Sequence, residues 1–393
     1  MSHVTPVRPS THDNRPGPWP FSLDAAQERR AAALHADSVV CDMWFVAPLA
    51  PTAFTPELTA EIEAFWRRTG DASLTFAEGD ALVAHHAARG WLDAYREAWD
   101  ASGITVGQCW LELGSVEELI RFAGAAQALF DHLPWMRKAL TAADIREAKR
   151  RGEHASFLYS ESISPIRPDL RIIDSMWGLG LRMLQLTYHT DDVGGDCTAP
   201  AHVGLSPFGT RVIRRANELG IILCTSHSNE TTTLDACRAT TAPLVASHTC
   251  AAALNPHPRA KSDDELKAIA ATGGVVGVNA IPWFLAPQAG ATIETLLDHV
   301  DHICELIGPQ HVGIGTDWPL QAPSSLIETA FRGWVSDSLG PRPDDLLFLP
   351  GLVDCRDFPN ITRGLVARGY DDEQIRGILG ENFLRVFETV AGA

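Results

Sequence analysis

Eight short apolar runs rich in β-forming residues recur along the chain, and amphipathic segments with helical spacing separate them. We predict strands at 38–42, 104–109, 155–161, 182–188, 221–227, 243–248, 274–280 and 311–317. Continuous apolar runs are typical of parallel strands that are covered on both faces. Eight such strands alternating with helices predict an α/β protein with a (β/α)8 architecture, the TIM barrel.

The predicted barrel takes up most of the chain. We interpret residues 1–30 as an N-terminal arm and residues 31–393 as one barrel domain of the metallohydrolase type. The stretch 51–103 is too long for a single crossover, so we predict extra helices inserted there, after the first strand.

The overall charge narrows the class of partner. A formal net charge of −17 would repel phosphate backbones and anionic lipid, so we expect no nucleic-acid partner and no membrane partner.

The first residues are polar and rich in Pro, and no run of 18 uncharged apolar residues follows. Eight cysteines without CxxC spacing favour buried reduced thiols. We therefore expect a cytoplasmic protein with a small-molecule partner.

Two histidines end neighbouring predicted strands. His227 ends the run IILCTSH, and His248 ends PLVASH, 21 residues later. In a parallel barrel this spacing places both side chains side by side at the carboxyl ends of adjacent strands, where the active sites of such barrels lie. One histidine alone would more often be an ordinary hydrogen-bonded polar group. The pair predicts a metal site.

Two carboxylates end other predicted strands. Glu161 ends FLYSE, and two histidines with one carboxylate are a recurrent ligand set for catalytic zinc. Asp317 ends HVGIGTD and could serve as general base toward a water activated by the metal, or could simply cap the following turn. The patterns around His86 and His299 look like solvated helix surface.

Several long segments resemble the membrane (renal) dipeptidase family of the amidohydrolase superfamily. They include LQLTYHTDDVGGDCTAPAHVGLSPFG, ELGIILCTSHSNETT, APLVASHTCAAALNPHPRAKSDDELKAIAATGGVVGVN and HVGIGTDW, in order between about 140 and 389. The resemblance implies a zinc-dependent barrel that hydrolyses dipeptides, usually with two metal ions bridged by a glutamate. Glu161 would be that bridge, with His227 and His248 as ligands of one metal. Arg259 would bind the substrate carboxylate, and Asp317 would lie near the substrate amine and the catalytic water.

The sequence departs from the family pattern at two strand ends. Family members carry His-x-Asp after the first strand, but this chain has Trp44 and Val46 there, and neither side chain binds zinc. Where many relatives have LTH, this chain has Tyr188 followed by His189. A phenol can still donate a hydrogen bond to a developing oxyanion, so we predict Tyr188 as a catalytic residue. His189 and Trp44, in a pocket walled by aromatic residues, are predicted to bind substrate.

Three hypotheses fit these residues. The first is a hydrolase of the dipeptidase type that cleaves an amide bond in a small carboxylate-bearing dipeptide or amino-acid derivative, with one Zn²⁺ expected and two as the alternative. The second keeps the barrel and the metal but changes the reaction to hydrolysis of a non-peptide bond or to decarboxylation. The third is a ligand-binding protein without catalysis. The sequence leaves the substrate side chains, the metal and the oligomeric state open, with a homodimer as one form.

Overall fold

A computed structural model describes residues 21–46, 55–111, 115–161, 169–188, 192–287, 290–317, 349–352 and 355–392. The fold and the site are formed by residues within these ranges.

The strands form a closed parallel barrel. They are β1 Cys41–Val46, β2 Val106–Leu111, β3 Met136–Lys138, β4 His154–Ser160, β5 Leu181–Gln185, β6 Ile222–Cys224, β7 Val245–Thr249, β8 Val275–Val278 and β9 Val312–Ile314. Eight of them pair in the order β1-β2-β4-β5-β6-β7-β8-β9, and β9 pairs with β1. Every pairing is parallel. The predicted (β/α)8 barrel is confirmed. Strand β3, which we did not predict, pairs with the start of β4.

Helices surround the barrel. They are α1 Ala25–Asp37, α2 Pro56–Thr69, α3 Ala72–Ala88, α4 Asp93–Ser102, α5 Val116–His132, α6 Ala142–Arg151, α7 Arg171–Leu179, α8 Pro207–Leu219, α9 Glu230–Ala239, α10 Asp263–Ala271, α11 Pro282–Leu285, α12 Ile293–Ile307, α13 Pro359–Ala367, α14 Asp372–Arg376 and α15 Asn382–Ala391. A π-helical turn, Gly377–Glu381, joins the last two. Among the helices that the structure describes, none combines the length and the apolar character needed to cross a membrane.

Local signals explain where the helices begin and end. Helix α8 starts with Ser206 as its N-cap and Pro207 in its first turn, and it ends at Gly220 in a left-handed conformation with φ of 72°. In α10 the side chain of Ser262 and that of Glu265 form a capping box. These helices lie in the amphipathic segments that the sequence predicts between the apolar runs.

The N-terminal part of the described chain is helical. Helix α1 begins at Ala25, capped by Asp24, so residues 25–30 of the predicted arm are helical. It packs against α13. Helices α2, α3 and α4 lie between β1 and β2, in the range where we expected an insertion. The division into an arm and one domain stays a prediction.

Apolar packing closes the N-terminal end of the barrel. Phe383 and Phe387 of α15 lie with ring centroids 5.8 and 5.2 Å from that of Phe157 on β4. The turn before α15 approaches the start of β1 so closely that a Cβ on Gly380 would lie 2.2 Å from the carbonyl oxygen of Val39. The carboxyl ends of the strands are therefore the end left for a functional site.

Asp42 joins β1 to the end of β9. Its side chain is fully buried. Its Oδ1 accepts from the backbone N–H of Thr316 at 2.8 Å and of Trp44 at 3.1 Å, and its Oδ2 accepts from the Thr316 hydroxyl at 2.5 Å. Burial raises the pKa of Asp42 to about 7, against the lowering effect of these hydrogen bonds. This agrees with a structural role for Asp42.

We expect Asp42→Asn to reduce the pH dependence of stability. A carboxyl whose pKa is raised in the folded state stabilises the fold fully below its unfolded pKa of about 4, and that contribution is lost as the pH rises to about 7, on the order of 2–4 kcal/mol. Asparagine keeps the Oδ1 acceptor and can donate to the Thr316 hydroxyl. The free energy of unfolding in urea should differ less between pH 5 and pH 8 for the variant than for the wild type. Asp372→Asn, on the exposed end of α14, controls for loss of a surface charge. Equal differences in the Asp42 variant and the wild type would contradict this prediction.

Candidate metal centre

Glu161, His227 and His248 meet at the carboxyl ends of their strands. Glu161 directly follows β4, His227 lies three residues after β6, and His248 belongs to β7. The Nε2 atoms of the two histidines are 3.1 Å apart. The Oε1 atom of Glu161 lies 3.7 Å from Nε2 of His227 and 3.8 Å from that of His248. The three residues that the sequence predicted as ligands are therefore brought together.

The spacing of these atoms fits one metal ion. At the usual zinc–ligand distances of about 2.0–2.1 Å, two ligands of a tetrahedral site are roughly 3.3–3.4 Å apart. The three observed separations, 3.1, 3.7 and 3.8 Å, bracket that value. All three side chains are buried. The donor set could thus hold a divalent metal without rearrangement of the barrel.

Hydrogen bonds inside the barrel hold His248 in this orientation. Its Nδ1 lies 2.7 Å from the hydroxyl of Ser247, and its backbone N–H donates to the Ser226 hydroxyl at 3.0 Å. The Ser247 hydroxyl in turn lies 3.1 Å from the thiol of Cys224. Fixing Nδ1 in this way directs Nε2 toward the other ligands. We did not predict these serines as site residues, although CTSH and ASHT place them beside the histidines.

Burial lowers the pKa of His248 well below its usual value, and the charges of Arg259 and Lys261 act in the same direction. The imidazole is therefore neutral near pH 7, which is the form that binds metal.

Asp317 lies at the end of β9 and contacts Trp44. It has a positive φ of 50°, and its Oδ1 accepts from the indole N–H of Trp44 at 2.7 Å. Burial raises the pKa of Asp317 to about 6, whereas the charge of Arg259 and the Trp44 hydrogen bond lower it. A carboxyl with such a pKa is mostly ionised at pH 7 and can accept a proton there.

Arg259 is buried near the same strand ends. One of its terminal nitrogens donates to the carbonyl oxygen of His248 at 3.4 Å, and its guanidinium carbon lies 5.2 Å from the ring centroid of Phe284. Its Nε has no hydrogen-bond partner, and no acidic group of the described residues lies within ion-pair distance of it.

The other predicted site residues lie in different surroundings. The ring of Tyr188 is partly buried, with its centroid 4.4 Å from that of His227. Trp44 is only 4% exposed. His189 lies outside the described residues.

Two histidines that we expected on helix surfaces are buried. His86 is fully buried, and His299 is 1% exposed. The Nδ1 of His299 accepts from the backbone N–H of Ala251, and its Nε2 lies 2.9 Å from the carbonyl oxygen of Leu285. The expectation of solvated side chains was wrong because backbone groups satisfy both ring nitrogens of His299.

The chain also matches a known protein family. Residues 112–328 and 330–393 fit the model of the membrane dipeptidases, peptidase family M19. The chain belongs to this family. It is 30% identical over 259 residues to the dipeptidase tcpJ of Claviceps purpurea and 30% identical over 258 residues to the dipeptidase verJ of Clonostachys rogersoniana. The matches cover 65% and 64% of this chain but 55% and 59% of those proteins, so the chain spans little more than half the length of the relatives.

Solved structures share the fold. An amidohydrolase from Pseudomonas aeruginosa superposes with a TM-score of 0.73 at 24% identity, over 92% of this chain and 99% of that one. A metallopeptidase from Rhodobacter sphaeroides was solved with a phosphinate mimic of the dipeptide L-Ala-D-Ala. It superposes with a TM-score of 0.60 at 24% identity, over 75% of this chain and 89% of that one.

We expect His248→Ala to remove metal binding while the barrel stays folded. The side chain lies at the strand ends, so its loss leaves the interdigitating apolar layers between the strands intact. Zinc content by elemental analysis should fall to background, and the circular dichroism spectrum should match that of the wild type. His302→Ala, on α12, is the matched control and should keep its metal. Full metal content in the His248 variant would show that the ligand assignment is wrong.

Proposed function

We propose that this chain is a metal-dependent hydrolase of the dipeptidase type, which cleaves an amide bond in a small dipeptide or amino-acid derivative with a free carboxylate. The observation that carries the proposal is the convergence of Glu161, His227 and His248 at one end of the barrel, within 4.8 Å of one another. Membership of the membrane dipeptidase family supports the reaction class.

We propose Zn²⁺ as the metal, held by Glu161, His227 and His248, because imidazole nitrogen and carboxylate oxygen are common zinc ligands. When bound, the ion would lower the pKa of a water and polarise the scissile carbonyl group. We propose one ion per chain, since Trp44 and Val46 stand where the resemblance implies a second ligand pair.

The chain's own residues would carry the proton and bind the substrate. Asp317 would accept a proton from the attacking water and pass it to the nitrogen of the leaving amine as the amide bond breaks. The phenol of Tyr188 would donate a hydrogen bond to the carbonyl oxygen as negative charge develops there. His189 is a further predicted substrate contact, whereas the indole N–H of Trp44, also predicted from the sequence to bind substrate, donates to Asp317.

Arg259 would bind the substrate carboxylate. Its guanidinium is buried, lies over an aromatic ring and has no acidic group of the described residues within ion-pair distance, although it attracts the more distant carboxylate of Asp317. A buried cation without a direct ion pair is costly, and a bidentate carboxylate would offset that cost. This favours a substrate with a free carboxyl group.

A changed reaction on the same barrel is the second candidate. It is favoured by Trp44, whose buried indole stands where the family resemblance implies a metal ligand. We also propose a cytoplasmic location, which is supported by the buried thiols of Cys41, Cys224 and Cys250. The net charge of −17 supports the absence of nucleic-acid and membrane-surface partners.

A direct assay decides between the two candidates. The zinc-loaded protein would be incubated with L-Ala-D-Ala, L-Ala-L-Ala and their carboxyl-amidated forms, and released amino acid would be measured. Release from the free acids, absent in His248→Ala, supports the dipeptidase. No release from any dipeptide by a zinc-loaded protein would contradict it and favour the second candidate.

We expect the purified protein to hold no more than one tightly bound zinc ion per chain. Three good ligands surround one position, whereas Trp and Val side chains do not bind zinc. Elemental analysis after dialysis against a weak chelator measures the ratio. Two zinc ions per chain would show that other residues complete a second site.

We expect Arg259→Lys to weaken binding of carboxylate substrates by roughly 1.5–3 kcal/mol, because the planar guanidinium fork cannot be reproduced by an ammonium group. KM for a free dipeptide should rise about tenfold or more. KM for the matching amidated compound, or its inhibition constant where it is not cleaved, should stay nearly unchanged. Equal losses for both would place Arg259 outside the carboxylate site.

A further inference from the structure

We propose that Trp44 is a positioning residue, whose indole holds the carboxylate of Asp317 and covers one face of His248. This differs from the substrate-binding role that the sequence predicts for Trp44. The part that concerns turnover rests on the proposed function, whereas the contact itself can be tested without any substrate.

Two hydrogen bonds tie Trp44 to Asp317. The backbone N–H of Asp317 donates to the carbonyl oxygen of Trp44 at 3.0 Å. The indole N–H of Trp44 donates to Oδ1 of Asp317 at 2.7 Å. The first bond fixes the backbone of Asp317, which has a positive φ of 50°. The second fixes its carboxylate, and a hydrogen bond to a charged acceptor is stronger than one between neutral groups.

The ring of Trp44 is fixed as well. It stacks on the imidazole of His248 with centroids 5.2 Å apart and an angle of 22° between the planes. It also meets the ring of Tyr159 edge-on, with centroids 4.6 Å apart. The side chain is 4% exposed, and its one polar atom is already used by Asp317. The indole therefore has little surface and no free donor with which to recognise a substrate.

These contacts link the proton-transfer residue to a metal ligand through one rigid side chain. Trp44 stands at a position where the family resemblance implies a metal-binding histidine. In this chain the same position supplies a neutral N–H donor to Asp317 and an aromatic face to His248. A rotation of the indole would disturb both groups together.

The first experiment compares Trp44→Phe with Trp99→Phe. Phenylalanine keeps an aromatic ring near His248 but removes the N–H donor. Trp99 is an equally buried tryptophan on α4, away from the site, and controls for the loss of a packed indole. On the zinc-loaded enzyme we expect kcat of Trp44→Phe to fall roughly tenfold or more, with KM within about twofold and metal content unchanged. Trp99→Phe should keep the wild-type kcat.

Other results of this comparison would overturn the proposal. A rise in KM with unchanged kcat would mean that Trp44 binds substrate. Equal kcat losses in both variants would mean a general packing effect. If Trp44→Phe does not fold, Trp44→Gln and Trp44→Leu form a second pair, because glutamine carries an N–H donor three bonds from Cβ, as tryptophan does. A higher kcat in the Gln variant than in the Leu variant supports the proposal, and equal values contradict it.

The second experiment needs no substrate, so its failure is distinct from that of the proposed function. Urea unfolding is measured for the wild type, Trp44→Phe, Asp317→Ala and the double variant. If the indole and the carboxylate interact directly, Trp44→Phe should lower the free energy of unfolding clearly less in the Asp317→Ala protein than in the wild type. The cost of alanine at a positive φ cancels, because it is present in both Asp317→Ala proteins. If the loss of unfolding free energy in the double variant equals the sum of the losses in the two single variants, the indole and the carboxylate do not interact, and the proposal is overturned.

Discussion

The junction between β1 and β9 is the constraint on which the site depends. The register pair of Asp42 and Ile314 joins these strands. The buried carboxyl of Asp42 accepts hydrogen bonds from Trp44 on β1 and from Thr316, two residues beyond the end of β9. Closure at this junction places Trp44 opposite Asp317 and fixes the distance from both to the ligands on the far strands. The chemistry of the site therefore depends on a carboxyl that takes no part in it.

The buried charges around the site have different roles. Lys261 is anchored by the carbonyl oxygen of Ser228, the hydroxyl of Thr233 and the carboxylate of Glu265, so its charge is neutralised and it fixes the segment after His227. Arg259 has no such acidic partner in the described part of the chain. Both cations lower the pKa of His248. Lys261 thus stabilises the loop, whereas Arg259, which has no direct ion pair among the described residues, can bind an anion.

The barrel and the convergence of the three candidate metal ligands could be predicted from the sequence because both depend on local pattern. Continuous apolar runs identify buried parallel strands, and a polar residue that ends such a run must lie at a strand end. Strand β3 has the sequence MRK, with only Met136 buried, and so it lacks the continuous apolar run that identifies the other short strands. The contact of Cys224 with Ser247 joins two strands through the barrel interior, and the buried position of His299 depends on backbone groups of other segments. No local pattern contains such partners.

Trp44 also has partners that no local sequence pattern reveals, and these lie at the site itself. The sequence indicates that metal ligands are missing at this position, but the role of the replacement depends on Asp317, 273 residues away, and on His248. Asp42 and Asp317 show how different surroundings affect the pKa of a buried carboxyl. Asp42 is fully buried, and its pKa is raised to about 7. Asp317 is also desolvated, but the charge of Arg259 and the indole N–H keep its pKa at about 6. The contacts distinguish the two carboxyls more than the pKa values do. Both oxygens of Asp42 accept hydrogen bonds from Thr316 or Trp44, which fits a structural acceptor, whereas Asp317 lies at the candidate site under the charge of Arg259.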